Sequence, residues 1–149
     1  MHYTGTIWRP PYEAGSLLLE VTAGCTHHKC KFCTLYNDLP FTFRLSPLED
    51  IEADLQEAAK RNRMWGWKDR RVFLTGANPF VLRYTFLMEI AGLVKKYFPS
   101  YRSIGSFARI TDISMKSDKE LIQLKKAGFN GLTIGMETAD DKALGFMNK

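Results

Sequence analysis

Apolar residues fall along this chain in two rhythms. Four short runs, SLLLEV (16–21), RVFLTG (71–76), SIGSFA (103–108) and GLTIGM (131–136), are largely apolar and bounded by glycine, proline or polar clusters. That pattern predicts strands covered on both faces. Between the runs, apolar positions recur at helical spacing. Ser46-Pro47-Leu48-Glu49 reads as a helix start, with Ser46 as cap, Pro47 at the first helical position and Glu49 closing a capping box. Leu48, Ile51, Leu55, Ala58 and Ala59 then form one buried stripe. A second helix, Arg83 to Phe98, is expected to bury Leu87, Ile90, Ala91 and Val94 and to stop at Pro99. A third opens on the capping box Ser117-Asp118-Lys119-Glu120, presents Leu121 and Leu124 and ends at Gly128. A fourth begins near Asp140, with no room expected for it to finish.

Strand alternating with helix implies parallel strands joined by right-handed crossovers, an α/β architecture. A closed eight-unit barrel takes about 250 residues, so four units point to an open or partial barrel, and the chain reads as the front part of a longer domain. Strand parity divides the residues between two faces. Leu17, Leu19, Val21, Leu132, Ile134 and Met136 are expected toward the helices; Leu18, Glu20, Thr22, Thr133 and Glu137 are expected inward. Glu20 and Glu137 would then share one cavity and need partners such as Arg44 or Arg109. The segment HYTGTIWRPPYEAG ahead of the first strand is placed to plug the base of the barrel.

Composition is that of an ordinary globular protein, 45% hydrophobic and 25% charged, so the 149 residues can bury a stable core. A net charge of +5 leaves an anionic or nucleic-acid partner open, but the basic residues are dispersed. The most apolar stretch, TFLMEIAGLVKKYF, carries Glu89 and Lys95 and is too short to span a membrane. No basic start followed by an apolar run marks a secretory signal, which points to a cytoplasmic protein.

The chemistry concentrates in the long connection Thr22 to Leu45, after the first strand, where α/β folds carry their sites. All the cysteines lie there, in GCTHHKCKFCTLY, as Cys25, Cys30 and Cys33 with C-x4-C-x2-C spacing. An odd number so close together is a poor disulfide framework. Clustered thiols suit zinc or iron–sulfur. Zinc would take the three cysteines with His27 or His28, although structural zinc sites usually pair two separated knuckles. A 4Fe–4S cluster takes one thiolate per iron; three would leave one iron open to a ligand, which points to catalysis rather than electron transfer.

These residues resemble the radical S-adenosylmethionine (SAM) superfamily, in the group whose loop reads CxHNxCxFC. RPPYEAGSLLLEVTAGCTHHKCKFCTLY carries the resemblance through the first strand and loop, SFARITDI through the third unit and GLTIGMETADDKALGFMNK through the fourth. The resemblance implies that residues 1–149 are the N-terminal part of a radical SAM core. It implies a 4Fe–4S cluster on Cys25, Cys30 and Cys33 that reductively cleaves SAM to a 5′-deoxyadenosyl radical. An electron donor such as flavodoxin or ferredoxin would supply the electron, and the substrate is not readable from the sequence. The runner-up is a zinc-binding, non-enzymatic module with RNA as a candidate partner.

The same resemblance implies further roles. Phe32 would lie along the adenine. Thr75, Gly76 and Ala77, in TGAN, would touch the amino group of SAM, although Asn78 replaces the usual acidic residue. Glu137, with Ser106 and Arg109, would reach the ribose or methionine region. His27 fits the pattern, and His28 stands where Asn is usual. A chain lacking the later strands is expected to bind SAM weakly and turn over little.

Overall fold

The computed structural model describes residues 1–65 and 71–149. Strands β1 (Leu17–Glu20), β4 (Arg71–Thr75), β5 (Ser103–Ala108) and β6 (Phe129–Ile134) form one parallel sheet, in the order β1-β4-β5-β6. Helices α1 (Leu48–Trp65), α2 (Tyr84–Tyr97) and α4 (Asp118–Lys126) alternate with them, as the two apolar rhythms predict. A two-stranded antiparallel ribbon, β2 (Thr22–Gly24) and β3 (Phe43–Leu45), stands at the end of β1. Two short α-helices, α3 (Ile110–Ser114) after β5 and α5 (Asp141–Met147) after β6, and 3-10 turns at Pro11–Glu13 and Pro79–Val81 complete the order.

The helix-facing side carries the core. Leu17, Leu19, Val72, Leu74 and Ile104 of the sheet pack against Ile51, Leu55 and Ala58 of α1, Leu87, Ile90 and Val94 of α2, and Leu124 of α4. Each of the Leu, Ile and Val side chains contributes about 1.5–3 kcal/mol when fully buried. Helix α2 buries the four expected residues and ends at Tyr97, with Phe98 as its C-cap before Pro99. Helix α4 has the expected capping box, Ser117 accepting from the Glu120 amide while Glu120 accepts from that of Ser117. At α1 the Ser46 hydroxyl meets His2 Nε2 at 3.1 Å.

Several expectations are corrected. β6 starts at Phe129, before Gly131, because a register shift beside Ile104 and Gly105 places Phe129 opposite Ile104 and Gly131 opposite Gly105. The extra residue, Asn130, lets Phe129 and Leu132 both pack toward the helices. The strand ends at Ile134, so Met136 lies outside it and is exposed. Helix α5 does finish: Asp140 caps its first turn, and Asn148 ends it in the left-handed conformation with φ 57°. The inward carboxylates do not take Arg44 or Arg109. Glu20 accepts the Thr4 amide at 2.7 Å, and Glu137 pairs with Lys149 at 2.9 Å.

The segment before β1 lies across the inner face, as a plug would. The Tyr3 hydroxyl donates to the Leu18 carbonyl at 3.1 Å, and that of Tyr12 meets Thr133 Oγ1. Glu13, 1% exposed, fills space left by the missing side chain of Gly105. It is paired with Arg71 and accepts from Ser16. Burial alone would raise its pKa, but the hydrogen bonds from Arg71 and Ser16 outweigh that and hold it below the ordinary carboxyl value.

A carboxyl whose pKa falls on folding contributes stability above its unfolded value, near 4.5, and loses it as the pH falls through the folded value. Glu13→Gln is therefore expected to flatten the loss of stability below pH 4.5 in urea titrations. Arg71→Met, which leaves buried Glu13 with Ser16 as its remaining side-chain donor, is expected to cost about 1–3 kcal/mol at pH 7.

Candidate cofactor site at the end of the sheet

The connection from β2 to β3 has little regular structure of its own, and its neighbours hold it at three places. The first is the ribbon beneath it. The Cys25 amide donates to the Thr42 carbonyl at 2.9 Å, closing the loop across the ribbon end. Gly24 has φ 80°, and a Cβ there would overlap the Thr42 carbonyl oxygen.

The second is the turn after β4. Ala77 N donates to Gly24 O at 3.2 Å. Gly76 has φ 130°, and a Cβ on it would overlap Thr22 Oγ1, so glycine is needed there for the chain's own ribbon. Asn78 is buried. Its Nδ2 donates to Thr26 Oγ1 at 2.7 Å and to Asp112 Oδ2 at 3.1 Å, and its Oδ1 accepts from Thr26 N at 3.4 Å. Asp112 also accepts the Arg109 amide at 2.8 Å. One side chain thus ties the start of the cysteine loop to the segment that carries Arg109. The sequence signal for Asn78 was its departure from the usual acidic residue.

The third is the end of α5, which reaches back to the loop at His27, Lys29 and Lys31.

Held in this way, Cys25, Cys30 and Cys33 line one rim of a cavity of about 320 Å³, and a small recess of about 30 Å³ lies among them with His28 and Leu35. The larger volume falls in the range of small-molecule sites. Its walls are mainly apolar and aromatic, including Trp8, Phe32, Leu35, Tyr36 and Phe107, and its polar side chains include Arg109 and Glu137. Of the sequence-derived site residues, Phe32, Ala77, Arg109 and Glu137 stand on this cavity with the cysteines. Thr75, Gly76 and Ser106 do not line it. Ser106 is fully buried, on the parity of Leu74 and Leu132, and its hydroxyl donates to the Phe107 carbonyl at 2.8 Å. Thr75 is also fully buried, and its Oγ1 has no hydrogen-bond partner among the described residues.

Local conformation and charge mark the same region. All the non-glycine residues with positive φ among the described residues, His28, Tyr36, Glu137 and Asn148, lie on the cavity, the recess or the loop's contacts. Such strain collects at functional sites. Position 28, at φ 46°, asks for a residue that tolerates the left-handed region, and Asn and His are among the side chains that do. Glu137 is the centre of a tight turn in which Thr138 N donates to Met136 O at 2.7 Å. Burial pushes the Cys30 thiol up, and Lys149 pulls against that. Burial likewise pushes the Tyr36 phenol up, with Cys25, Cys33 and Glu20 adding to the effect, so it stays protonated.

The donor set distinguishes between cofactors. A single zinc draws its sulfurs to within about 3.8 Å of one another. Among the described residues, no three His, Cys, Asp or Glu side chains gather in a group that could hold one metal ion. His27 Nε2 is engaged by the Asn148 carbonyl at 2.6 Å. A cluster that takes each thiolate on a separate iron does not need the sulfurs to meet at one metal ion.

The fold and this rim define an α/β protein with a parallel open sheet and a cysteine-bordered cavity at one end of its strands. The chain belongs to the radical SAM superfamily, whose family model matches residues 19–149. The cofactors of that superfamily are a 4Fe–4S cluster and SAM, and the fold is its partial barrel. A structure of the cobalamin-dependent S-adenosylmethionine radical enzyme OxsB with aqua-cobalamin and SAM bound aligns with a TM-score of 0.69 at 17% identity, covering 89% of this chain and 20% of that one. OxsB with aqua-cobalamin alone gives 0.66 at 18%, covering 88% and 20%. The chain thus spans about a fifth of the length of those enzymes, and at such identity the likeness is one of fold. Comparison with curated proteins gives no match. Among the described residues no helix is long and apolar enough to cross a membrane.

Asn78→Ala is expected to cost roughly 1–3 kcal/mol in chemical denaturation, because it removes the buried amide that bridges Asp112 and Thr26. Asn78→Asp sets a second carboxylate against Asp112. It is expected to destabilise more at pH 7 than at pH 4, where protonation relieves the repulsion.

Proposed function

We propose that residues 1–149 are the N-terminal part of a radical SAM core in which Cys25, Cys30 and Cys33 hold a 4Fe–4S cluster and the adjoining cavity receives SAM. The observation that carries this reading is the convergence of the three cysteines on one rim of a cavity that also presents Phe32, Arg109 and Glu137. When bound, such a cluster supplies the single electron that cleaves SAM to methionine and a 5′-deoxyadenosyl radical, which takes a hydrogen atom from the substrate.

The chain's own residues prepare that step. Cys25, Cys30 and Cys33 would hold three irons of a four-iron cluster and leave the fourth without a protein ligand. Phe32 offers a flat apolar face to an adenine. The guanidinium of Arg109 suits a carboxylate, as a planar fork of donors. Glu137 can accept from a ribose hydroxyl or an ammonium once it shares or releases Lys149. Ala77 presents backbone at the cavity wall, fixed by its bond to Gly24. Trp8, Leu35, Phe107 and Ile134 supply apolar walls beside these groups. Thr75, Gly76 and Ser106 act from behind these walls, as supports of strand and ribbon. Cys33 is exposed, so the rim is open to an electron donor such as flavodoxin or ferredoxin.

Anaerobic reconstitution with iron and sulfide is expected to give close to four irons per chain, with a broad absorption near 400 nm. Cys25→Ala, Cys30→Ala and Cys33→Ala should each abolish it, while His27→Ala and His28→Asn should keep it. Stoichiometric zinc in place of iron, or full iron loading of a cysteine variant, would overturn the assignment.

A further inference from the structure

Cys25 and Cys30 are separated by Thr26 to Lys29, and neither the ribbon nor the core covers the outer side of that turn. The segment that ends α5 meets it there. The Lys31 amide donates to the Met147 carbonyl at 2.9 Å. The Asn148 side-chain amide donates to the Lys29 carbonyl at 2.9 Å. The Asn148 carbonyl faces His27 Nε2 at 2.6 Å. Lys31 Nζ also lies 4.6 Å from the centre of the Phe146 ring. Three polar contacts thus engage residues 27, 29 and 31, on both sides of Cys30, from a segment more than a hundred positions away in sequence.

The backbone of Asn148 is what makes this reach possible. Its φ of 57° turns the chain out of α5 in the left-handed region, so that carbonyl and side-chain amide both face the loop. Asparagine tolerates that conformation and also brings a donor, whereas glycine would supply the conformation alone. The next residue, Lys149, bonds Glu137 on the cavity wall. Consecutive residues therefore touch the cysteine loop and the cavity.

We propose that Asn148 is a positioning residue for the cysteine loop: its side-chain amide, with the Met147 carbonyl beside it, fixes the turn between Cys25 and Cys30 in the form that receives the cluster. This rests on the reading of the three cysteines as cluster ligands. The chemistry of the clasp is hydrogen bonding to main-chain groups, and it operates in the protein before any cluster is bound. Loss of the amide leaves the Lys29 carbonyl to solvent and frees the turn, so the cluster sits in a looser cradle and is lost sooner.

The test uses the 149-residue chain with Asn148→Gly and Asn148→Asp. Both suit a positive φ, so neither is expected to lower the thermal midpoint much, and both remove the amide donor. In cluster-free protein, hydrogen exchange at the Lys31 amide is expected to quicken about fivefold in each, the size expected for one lost hydrogen bond, while core amides of β4 and β5 stay unchanged. After reconstitution, both variants should lose their absorption near 400 nm several-fold faster in air than the parent, and Asn148→Gln should not rescue it, since its longer side chain misplaces the donor. Unchanged exchange at Lys31 in both variants overturns the clasp. So does quickened exchange with unaltered cluster lifetime, since the loop would then not need it. Failure of the parent chain to take up iron, with quickened exchange in the variants, leaves the contact but removes its role and the cluster assignment with it.

Discussion

The cysteine loop has little regular structure to hold it, and that constraint shapes the surroundings of the cavity. Residues between β2 and β3 must place three thiols on one rim without a helix or sheet ladder to fix them. Their positions are borrowed: from the Cys25–Thr42 closure of the ribbon, from the turn Thr75 to Asn78, and from the end of α5. Each support comes from the same end of the parallel sheet, where the connections after β1, β4, β5 and β6 converge. The hydrophobic core under α1 and α2 matters to the site because it aligns those strand ends.

Charge follows the same arrangement. Two deeply buried carboxylates of the inner face, Glu13 and Glu20, are satisfied by Arg71 and Ser16 and by the Thr4 amide. They therefore serve the plug formed by the first residues, and do not reach the cavity. Glu137 and Arg109 do line the cavity beside the cysteines, with Lys149 as the counter-ion of the first and His27 and Tyr36 on the same walls. A cavity with apolar walls and a few placed charges suits a ligand with an adenine at one end and an amino-acid zwitterion at the other.

Much of the fold could be read from periodicity because its elements bury continuous apolar runs. Helix α2 and strand β5 fall where the pattern predicts, and Ser117 caps α4 as its capping box requires. The ribbon β2–β3 was not legible, since three-residue strands of mixed character give no period to follow. The shift at Asn130 changes the phase of β6 through pairing with β5, which no local pattern records. In the site, the cysteines, Phe32, Arg109 and Glu137 were reached through motif, and the cavity brings them together. Ser106 was reached through the same resemblance but does not line the cavity, because its strand position opposite Leu74 and Leu132 puts it under the helices. The roles of Asn78 and Asn148 depend on contacts across the fold, with Asp112 and with Lys29, which a linear sequence does not display.

The central claim is that the three-cysteine rim leaves a coordination position that faces the cavity and is open to SAM. Electron paramagnetic resonance of the reconstituted, reduced chain, recorded with and without SAM, tests it most directly. The account predicts a reduced 4Fe–4S signal whose g values shift when SAM is added in excess, and a shift that weakens in Arg109→Ala at the same SAM concentration. A reduced cluster signal that saturating SAM leaves unchanged would contradict it.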